Sequence, residues 1–229
     1  LAELRRRGLP VPDGVCLTTR AYDRYVSKTG LRERIMMELN RKPFSEMRWE
    51  EIWDAAFRIR SFFTRTPLPS RQYRDLKAAL EKLPFVSPFM VRSSAPGEDS
   101  GQTSFAGLHD SFTARGGADE IIDTIRLVWA SLWSDRALLY RKELNLSGEE
   151  SSIAVVIQKL EAGEVSGVGF GVNPNNDDQA VIEAVGGLNQ GLGDGRVPPD
   201  RWILDRKSGR ILSHIPAERT EELVLENGE

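Results

Sequence analysis

Apolar residues return every three to four positions through residues 31–82: Phe44, Trp49, Ile52, Trp53, Phe57, Ile59 and Phe62 recur at helical spacing, with breaks at Pro43 and around Pro67 and Pro69. That spacing predicts amphipathic helices, and the aromatic and aliphatic positions read as core packing rather than a cofactor box. Upstream, residues 1–7 read as the end of a helix closed by Gly8, with Pro10 and Pro12 as punctuation. Val15, Cys16 and Leu17 predict a short buried strand, and Thr18 or Thr19 can cap the next helix, which carries Tyr22 and Tyr25. The clearest helix spans residues 119–141. Ile121, Ile125, Val128, Leu132 and Leu139 make one stripe, with Trp129, Trp133 and Tyr140 beside it.

The period changes along the chain. Residues 85–91 predict a strand and 103–113 a hairpin-like stretch. Residues 153–158 are an unbroken apolar run, which predicts a central strand. Further strands follow at 165–172, 180–185 and 202–205, and residues 210–213 pair with the last of these across a turn at Lys207, Ser208 and Gly209. The fold class is therefore α/β (mixed α+β), helix-rich over about 1–148 and strand-rich over about 149–229. A boundary is expected near 145–151, where Gly148 and two serines flank a charged patch. Within 165–172, alternation places Val168, Phe170 and Val172 on one face and Gly167, Gly169 and Gly171 on the other. The apolar face is expected to be buried in a sheet. The bare face suits a packed helix, another backbone or a flat ligand equally well.

Composition narrows the classes. The chain has 229 residues, enough for a substantial core, and 31 basic against 34 acidic residues leave a net charge of −3. That balance offers no reason to expect nucleic acid or a membrane surface as partner. The one cysteine, Cys16, excludes an internal disulfide and fits a reducing compartment; its apolar surroundings predict a buried, inert thiol. No apolar run reaches bilayer length and no charged-then-apolar leader is present, so a cytoplasmic protein is expected. Leu1 opens in what reads as mid-helix, which predicts a stretch of a longer protein. His109 and His214 lack metal-ligand spacing, and no metal site is assigned.

Candidate chemistry begins at Arg92, which ends an apolar run beside Ser93, Ser94 and Ala95. A guanidinium where a strand ends can hold an anion through two donors without losing its charge. The plain alternative is a surface ion pair with Glu98 or Asp99. Ser104, Phe105, Ala106 and Gly107 read either as an ordinary hairpin turn or as a flap whose backbone N–H groups cover phosphates. Gln158, Lys159 and Leu160 end the apolar strand, where a carboxamide and backbone donors could read an adenine; otherwise the strand end simply reaches solvent. Glu183 interrupts an apolar strand. Turned inward it needs a partner, Lys159 or Arg196 being candidates; it could also face water. Residues 186–195 are glycine-dense and read as a mobile loop, but no Gly-Lys-Ser/Thr ends them, so they are not a P-loop.

Several segments, in order, carry a resemblance over nearly the whole chain. They are residues 8–14 followed by Thr18 and Thr19; residues 91–99; residues 104–107; residues 129–137 with Tyr140 and Arg141, the most specific; Ile157, Gln158 and Lys159; Ser166 and Gly167; Asn173 and Pro174; and Pro199 and Asp200. Together they resemble the N-terminal nucleotide-binding domain of the phosphoenolpyruvate synthase and pyruvate phosphate dikinase family. The resemblance implies an ATP-grasp fold that binds ATP between two lobes. It implies phosphoryl transfer from ATP to a histidine on a separate swivelling domain, and from there to pyruvate on a third. Carried over, Arg92 would hold the ATP phosphates and serve catalysis, Ser104, Phe105, Ala106 and Gly107 would form the flap, and Gln158, Lys159 and Leu160 would line the adenine slot. The family's upstream Gly-Gly-Lys and its downstream metal-binding carboxylates and glutamine have no counterpart in this chain, Leu108 stands where glutamine is common, and Gly171 where threonine is common. Mg²⁺ is thus expected in the full-length enzyme with its ligands elsewhere, and the chain by itself is expected to turn nothing over. Two other readings remain: the same domain in an antibiotic or glucan phosphotransferase, and a regulatory module that binds nucleotide or only a partner protein, without catalysis.

Overall fold

The computed structural model describes residues 1–83, 88–95, 110–144, 151–193, 195–219 and 221–224. The chain divides into two compact units, Leu1–Leu160 and Glu161–Glu229. In the first unit, β1 (Gly14–Leu17), β2 (Phe89–Ser94), β3 (Ser111–Ala114) and β4 (Ala154–Lys159) form one antiparallel sheet in the order β1-β4-β2-β3. The helices of this unit are α1 (Ala2–Arg6), α2 (Thr19–Lys28), α3 (Leu31–Leu39), α4 (Trp49–Arg65), α5 (Ser70–Leu80), α6 (Ala118–Ser131) and α7 (Asp135–Glu143). Phe89, Val91, Val155 and Ile157 share one sheet face and are buried in the same core as Ile121, Ile125 and Val128 of α6.

At the centre of that core four aromatic rings meet. Trp129 stacks on Tyr25 at 5.1 Å and meets Tyr22 edge-on at 6.0 Å, while Phe63 lies 6.1 Å from Tyr22 and 6.0 Å from Tyr25. Trp133 Nε1 donates to Tyr22 Oη at 2.9 Å, and Tyr25 Oη donates to the Thr66 carbonyl at 2.6 Å. Such packing combines large apolar area with ring-edge geometry.

Three expectations need correcting here. Of the stripe on α4, Ile52 and Ile59 are fully buried, but Trp49, Trp53 and Phe57 are exposed. At 100° per residue, positions 52, 55, 56, 59 and 63 face one way and 49, 53 and 57 another, so the helix carries two apolar stripes and the core takes one. The long helix over 119–141 is two helices. The last turn of α6 tightens through Trp133 N–H to the Ala130 carbonyl and Ser134 N–H to the Ser131 carbonyl; Ser134 then caps α7, its hydroxyl accepting from Ala137 N–H at 3.1 Å. Cys16 is exposed rather than buried, because in the short strand β1 its side chain alternates to the face that carries no core.

In the second unit β5 (Val165–Phe170), β6 (Gln179–Gly186), β7 (Asp200–Asp205) and β8 (Ile211–Ile215) form an antiparallel meander in chain order, with a register shift between Ile203 and Leu204. The turn before β8 is held by Asp205, whose Oδ1 accepts from Ser208 N–H at 2.7 Å and Ser208 Oγ at 2.6 Å; these bonds hold its carboxyl below the usual range. The apolar face of 165–172 is not buried as expected: Phe170 is 48% and Val172 41% exposed, and Val168 is half-buried. Among the described residues of this unit only the four-residue α8 (Gln190–Gly193) supplies a helix, too little to cover a four-stranded sheet. On the bare face, a Cβ at Gly167 would lie 2.5 Å from the Glu183 carbonyl oxygen, whereas Gly169 and Gly171 face open space. Glu183 pairs with Arg201, directly opposite it on β7, at 2.7 Å to Nε and 2.5 Å to a terminal nitrogen, a partner that the sequence reading had not offered. The glycine-dense stretch is built into the unit. Gly187 has φ +71°, its N–H bonds the Glu164 carbonyl at 2.9 Å, and the Leu223 backbone occupies the space a Cβ would need. No helix among the described residues is long and apolar enough to cross a membrane.

The buried tyrosines predict an alkaline limit. Burial pushes the Tyr25 hydroxyl up to about 12, and burial raises Tyr22 as well. Both must stay neutral in the folded chain, so the stability they contribute is complete below the ordinary tyrosine value of about 10 and is lost as pH rises from about 10 through 12. The urea midpoint, followed by near-ultraviolet circular dichroism, is expected to fall across this window. Tyr25→Phe should lose part of that slope. A midpoint that stays level between pH 9.5 and 11.5 would contradict the burial of these two hydroxyls.

Candidate functional site

Register places the candidate residues. On β2, the side chains of Phe89, Val91 and Ser93 alternate with those of Met90, Arg92 and Ser94. The first set faces the helices; the second faces away. Arg92 lies directly opposite Val156 on β4 and Ser111 on β3, and Cys16 on β1 lies opposite the same Val156. One row across the sheet therefore reads Cys16, Val156, Arg92, Ser111. The next row reads Gly14, Gln158, Met90, Thr113. Arg92, Ser94, Ser111 and Cys16 are exposed on this face. Among the described residues, no side chain is within hydrogen-bond or ion-pair reach of Arg92. Glu98 and Asp99, the expected ion-pair partners, lie outside the described residues, as do Ser104, Phe105, Ala106, Gly107 and His109.

Arg92 and Gln158 thus come together on one face as diagonal neighbours, a relation that spans about 7–8 Å between backbones. Gln158 is buried even so. Its Nε2 donates to the Pro12 carbonyl at 3.1 Å, and the side chain lies over Gly14, where a Cβ would sit 2.6 Å from Gln158 Cγ. Only a residue without a side chain lets the carboxamide fold against β1 in this way. Lys159, next in sequence, alternates to the opposite face at the strand end and is exposed. Its N–H donates to the Asp13 carbonyl at 3.2 Å, and Leu160 N–H donates to the Pro88 carbonyl at 2.9 Å. Both backbone donors are therefore engaged within the unit. Of the two serines after Arg92, Ser94 shares its face and Ser93 does not.

The open face also holds Ser111, Thr113 and Cys16, which sequence reasoning did not join to Arg92. The alternation within residues 111–114 was readable, but the pairing that sets Ser111 beside Arg92 was not. This face offers a fixed positive charge flanked by hydroxyls, which suits an anion such as a phosphate. Among the described residues no three His, Cys, Asp or Glu side chains gather to hold a cation.

Helices backing one face of an antiparallel sheet, with Arg92 exposed on the other, and a second antiparallel sheet unit make a mixed α/β architecture. The chain belongs to the pyruvate phosphate dikinase, AMP/ATP-binding domain family, whose model matches residues 1–229. It is 38% identical over 222 residues to the phosphoenolpyruvate synthase of Aeropyrum pernix, covering 93% of this chain and 27% of that protein. It is 32% identical over 235 residues to a probable phosphoenolpyruvate synthase of Staphylothermus marinus, covering 99% of this chain and 28% of that protein. The corresponding protein of Methanothermobacter thermautotrophicus is 32% identical over 234 residues, covering all of this chain and 34% of that protein. The chain spans about a quarter to a third of these relatives.

Proposed function

We propose that the chain is the ATP-binding part of a phosphoenolpyruvate synthase-type dikinase. Family membership over residues 1–229 carries this reading, and the exposed Arg92 on an open sheet face supports it. In this reading the chain forms one ATP-grasp domain, helix-rich over about 1–148 and strand-rich over about 149–229. Arg92 clamps the ATP phosphates, Ser104, Phe105, Ala106 and Gly107 cover them, and Gln158, Lys159 and Leu160 border the adenine. The phosphoryl group passes from ATP to a histidine on a separate domain of the same longer chain, and then to pyruvate bound by a further domain. Mg²⁺ serves the full-length enzyme through ligands outside the residues described, and the protein works in the cytoplasm.

The test is phosphate release from ATP and Mg²⁺ with and without pyruvate. The full-length polypeptide should release phosphate only when pyruvate is present, and residues 1–229 alone should give nothing above a buffer blank. Stimulation by a glucan or an antibiotic in place of pyruvate would overturn the acceptor. Turnover by residues 1–229 alone would show that the catalytic residues lie within them.

A further inference from the structure

A groove between α2 and α5 lies away from the open sheet face. Leu17 of β1, Ala21 of α2 and Leu76 of α5 are half-buried against the core, and with Ala79 they form the apolar lining of a cavity of about 360 Å³. Leu17 alternates with Cys16 along β1, so the groove opens behind the sheet that carries Arg92 on its other face. Its volume is at the lower end of the range for small-molecule sites, which are mostly apolar with a few polar groups.

The polar groups here are uneven. Arg20 and Arg24 are one turn apart on α2 and both line the groove. Both are exposed, and neither makes an ion pair or a side-chain hydrogen bond among the described residues. Other arginines of the unit do find carboxylates: Arg5 meets Asp13, and Arg58 meets Glu38 and Asp54. On the α5 wall the acidic lining residue is Asp75, and it leans towards Arg71 of its own helix, at 3.8 Å, instead of crossing to the α2 arginines. Gln72 ties the two walls together. It is buried, and its Nε2 donates to the Ala21 carbonyl at 2.8 Å. Its Oε1 is buried with no hydrogen-bond partner among the described residues, an acceptor that a donor on an occupant would satisfy.

We propose that this groove is a second ligand site of the first unit, and that it takes a small organic anion with an apolar body. The anionic group, a carboxylate, phosphate or sulfonate, is held by Arg20 and Arg24, whose guanidinium forks match such groups. The body lies on Leu17, Ala21, Leu76 and Ala79. Asp75 orients the ligand by repelling its anionic end, which therefore faces the α2 wall. The site stands on these residues alone and does not depend on the nucleotide reading. Because the sheet separates it from Arg92, its ligand and ATP bind together without competing.

The test is a fluorescence titration of the full-length polypeptide with anilinonaphthalene sulfonate, an aromatic anion that brightens in apolar surroundings, at saturating ATP and Mg²⁺. Octanoate should displace the dye, whereas inorganic phosphate at the same concentration, which lacks the apolar body, should not. Arg20→Gln combined with Arg24→Gln should raise the dissociation constant more than about ten-fold, through loss of the charged donors. Ala79→Trp should remove the same binding by filling the groove. Asp75→Asn should tighten it about two- to three-fold. All four positions are exposed, and far-ultraviolet circular dichroism checks that the helices remain. Dye binding that neither the double arginine change nor Ala79→Trp alters would place the ligand elsewhere and overturn the proposal. Displacement of the dye by ATP would overturn it too, while leaving the nucleotide reading intact. Weaker binding in Asp75→Asn would mean that the groove prefers a cationic or zwitterionic ligand, which contradicts the class assigned.

Discussion

Arg92→Ala in the full-length protein should lower kcat/KM for ATP by roughly 30- to 1,000-fold, the loss of about 2–4 kcal/mol that follows removal of one preorganised donor to a reacting charge. The unfolding midpoint should not move, because the side chain is exposed on the sheet face opposite the core. Arg92→Lys should recover little of the loss. An ammonium is a point charge and cannot reproduce the two-pronged geometry of a guanidinium on a phosphate. If Arg92 served only a surface ion pair, either change would cost under about 1 kcal/mol of stability and leave turnover alone. Steady-state kinetics with ATP varied, beside a urea titration of each variant, separates the two. Full activity in Arg92→Ala would remove Arg92 from the site.

Trp129→Ala should destabilise the first unit by about 3–5 kcal/mol, a large part of the 5–15 kcal/mol typical of a whole domain. Trp129 is fully buried and touches Tyr22 and Tyr25, so its loss opens a cavity that three elements must collapse to fill. Its indole N–H has no hydrogen-bond partner among the described residues, and so the damage is steric rather than polar. Trp129→Phe should therefore cost much less, under about 2 kcal/mol, since it keeps most of the ring and deletes an unsatisfied donor. Urea unfolding of both variants measures the difference. Equal losses in the two would mean that the indole nitrogen carries an interaction the packing does not reveal.

Much of the architecture was legible before any coordinates. Residues 153–158, apolar up to the closing Gln158, predict a strand, and β4 (Ala154–Lys159) forms there between two neighbours. Residues 180–185 and 202–205 lie in adjacent strands of the meander, and the Lys207, Ser208, Gly209 turn returns the chain to β8. These are local features. Strand formers at period two and turn residues at fixed offsets constrain the backbone wherever they occur. The buried set of α6, from Ile121 through Val128, was equally readable, because a single stripe leaves one way to face a core.

What failed shares a different cause. On α4 two apolar stripes compete, and sequence period cannot say which one the core accepts. The break at Ser134 turns on one hydroxyl bonding a backbone N–H while the apolar stripe runs on across it. The apolar face of 165–172 has the pattern of a buried strand, yet burial depends on what else covers the sheet. Glu183 finds Arg201 only because β6 and β7 pair in that register.

The sequence by itself determined the residue types that could bind a phosphate, the strands and most of the helices, and, through its motifs, the family. Only the tertiary structure decided that Arg92 and Gln158 share a face, that Lys159 faces the other way, and that Cys16 and Ser111 join Arg92 in one row. The physical reason is range. Alternation along one strand is a property of neighbouring residues, whereas the order β1-β4-β2-β3 and its register come from pairing segments far apart in the chain, and a slip of one residue would send every one of these side chains to the opposite face.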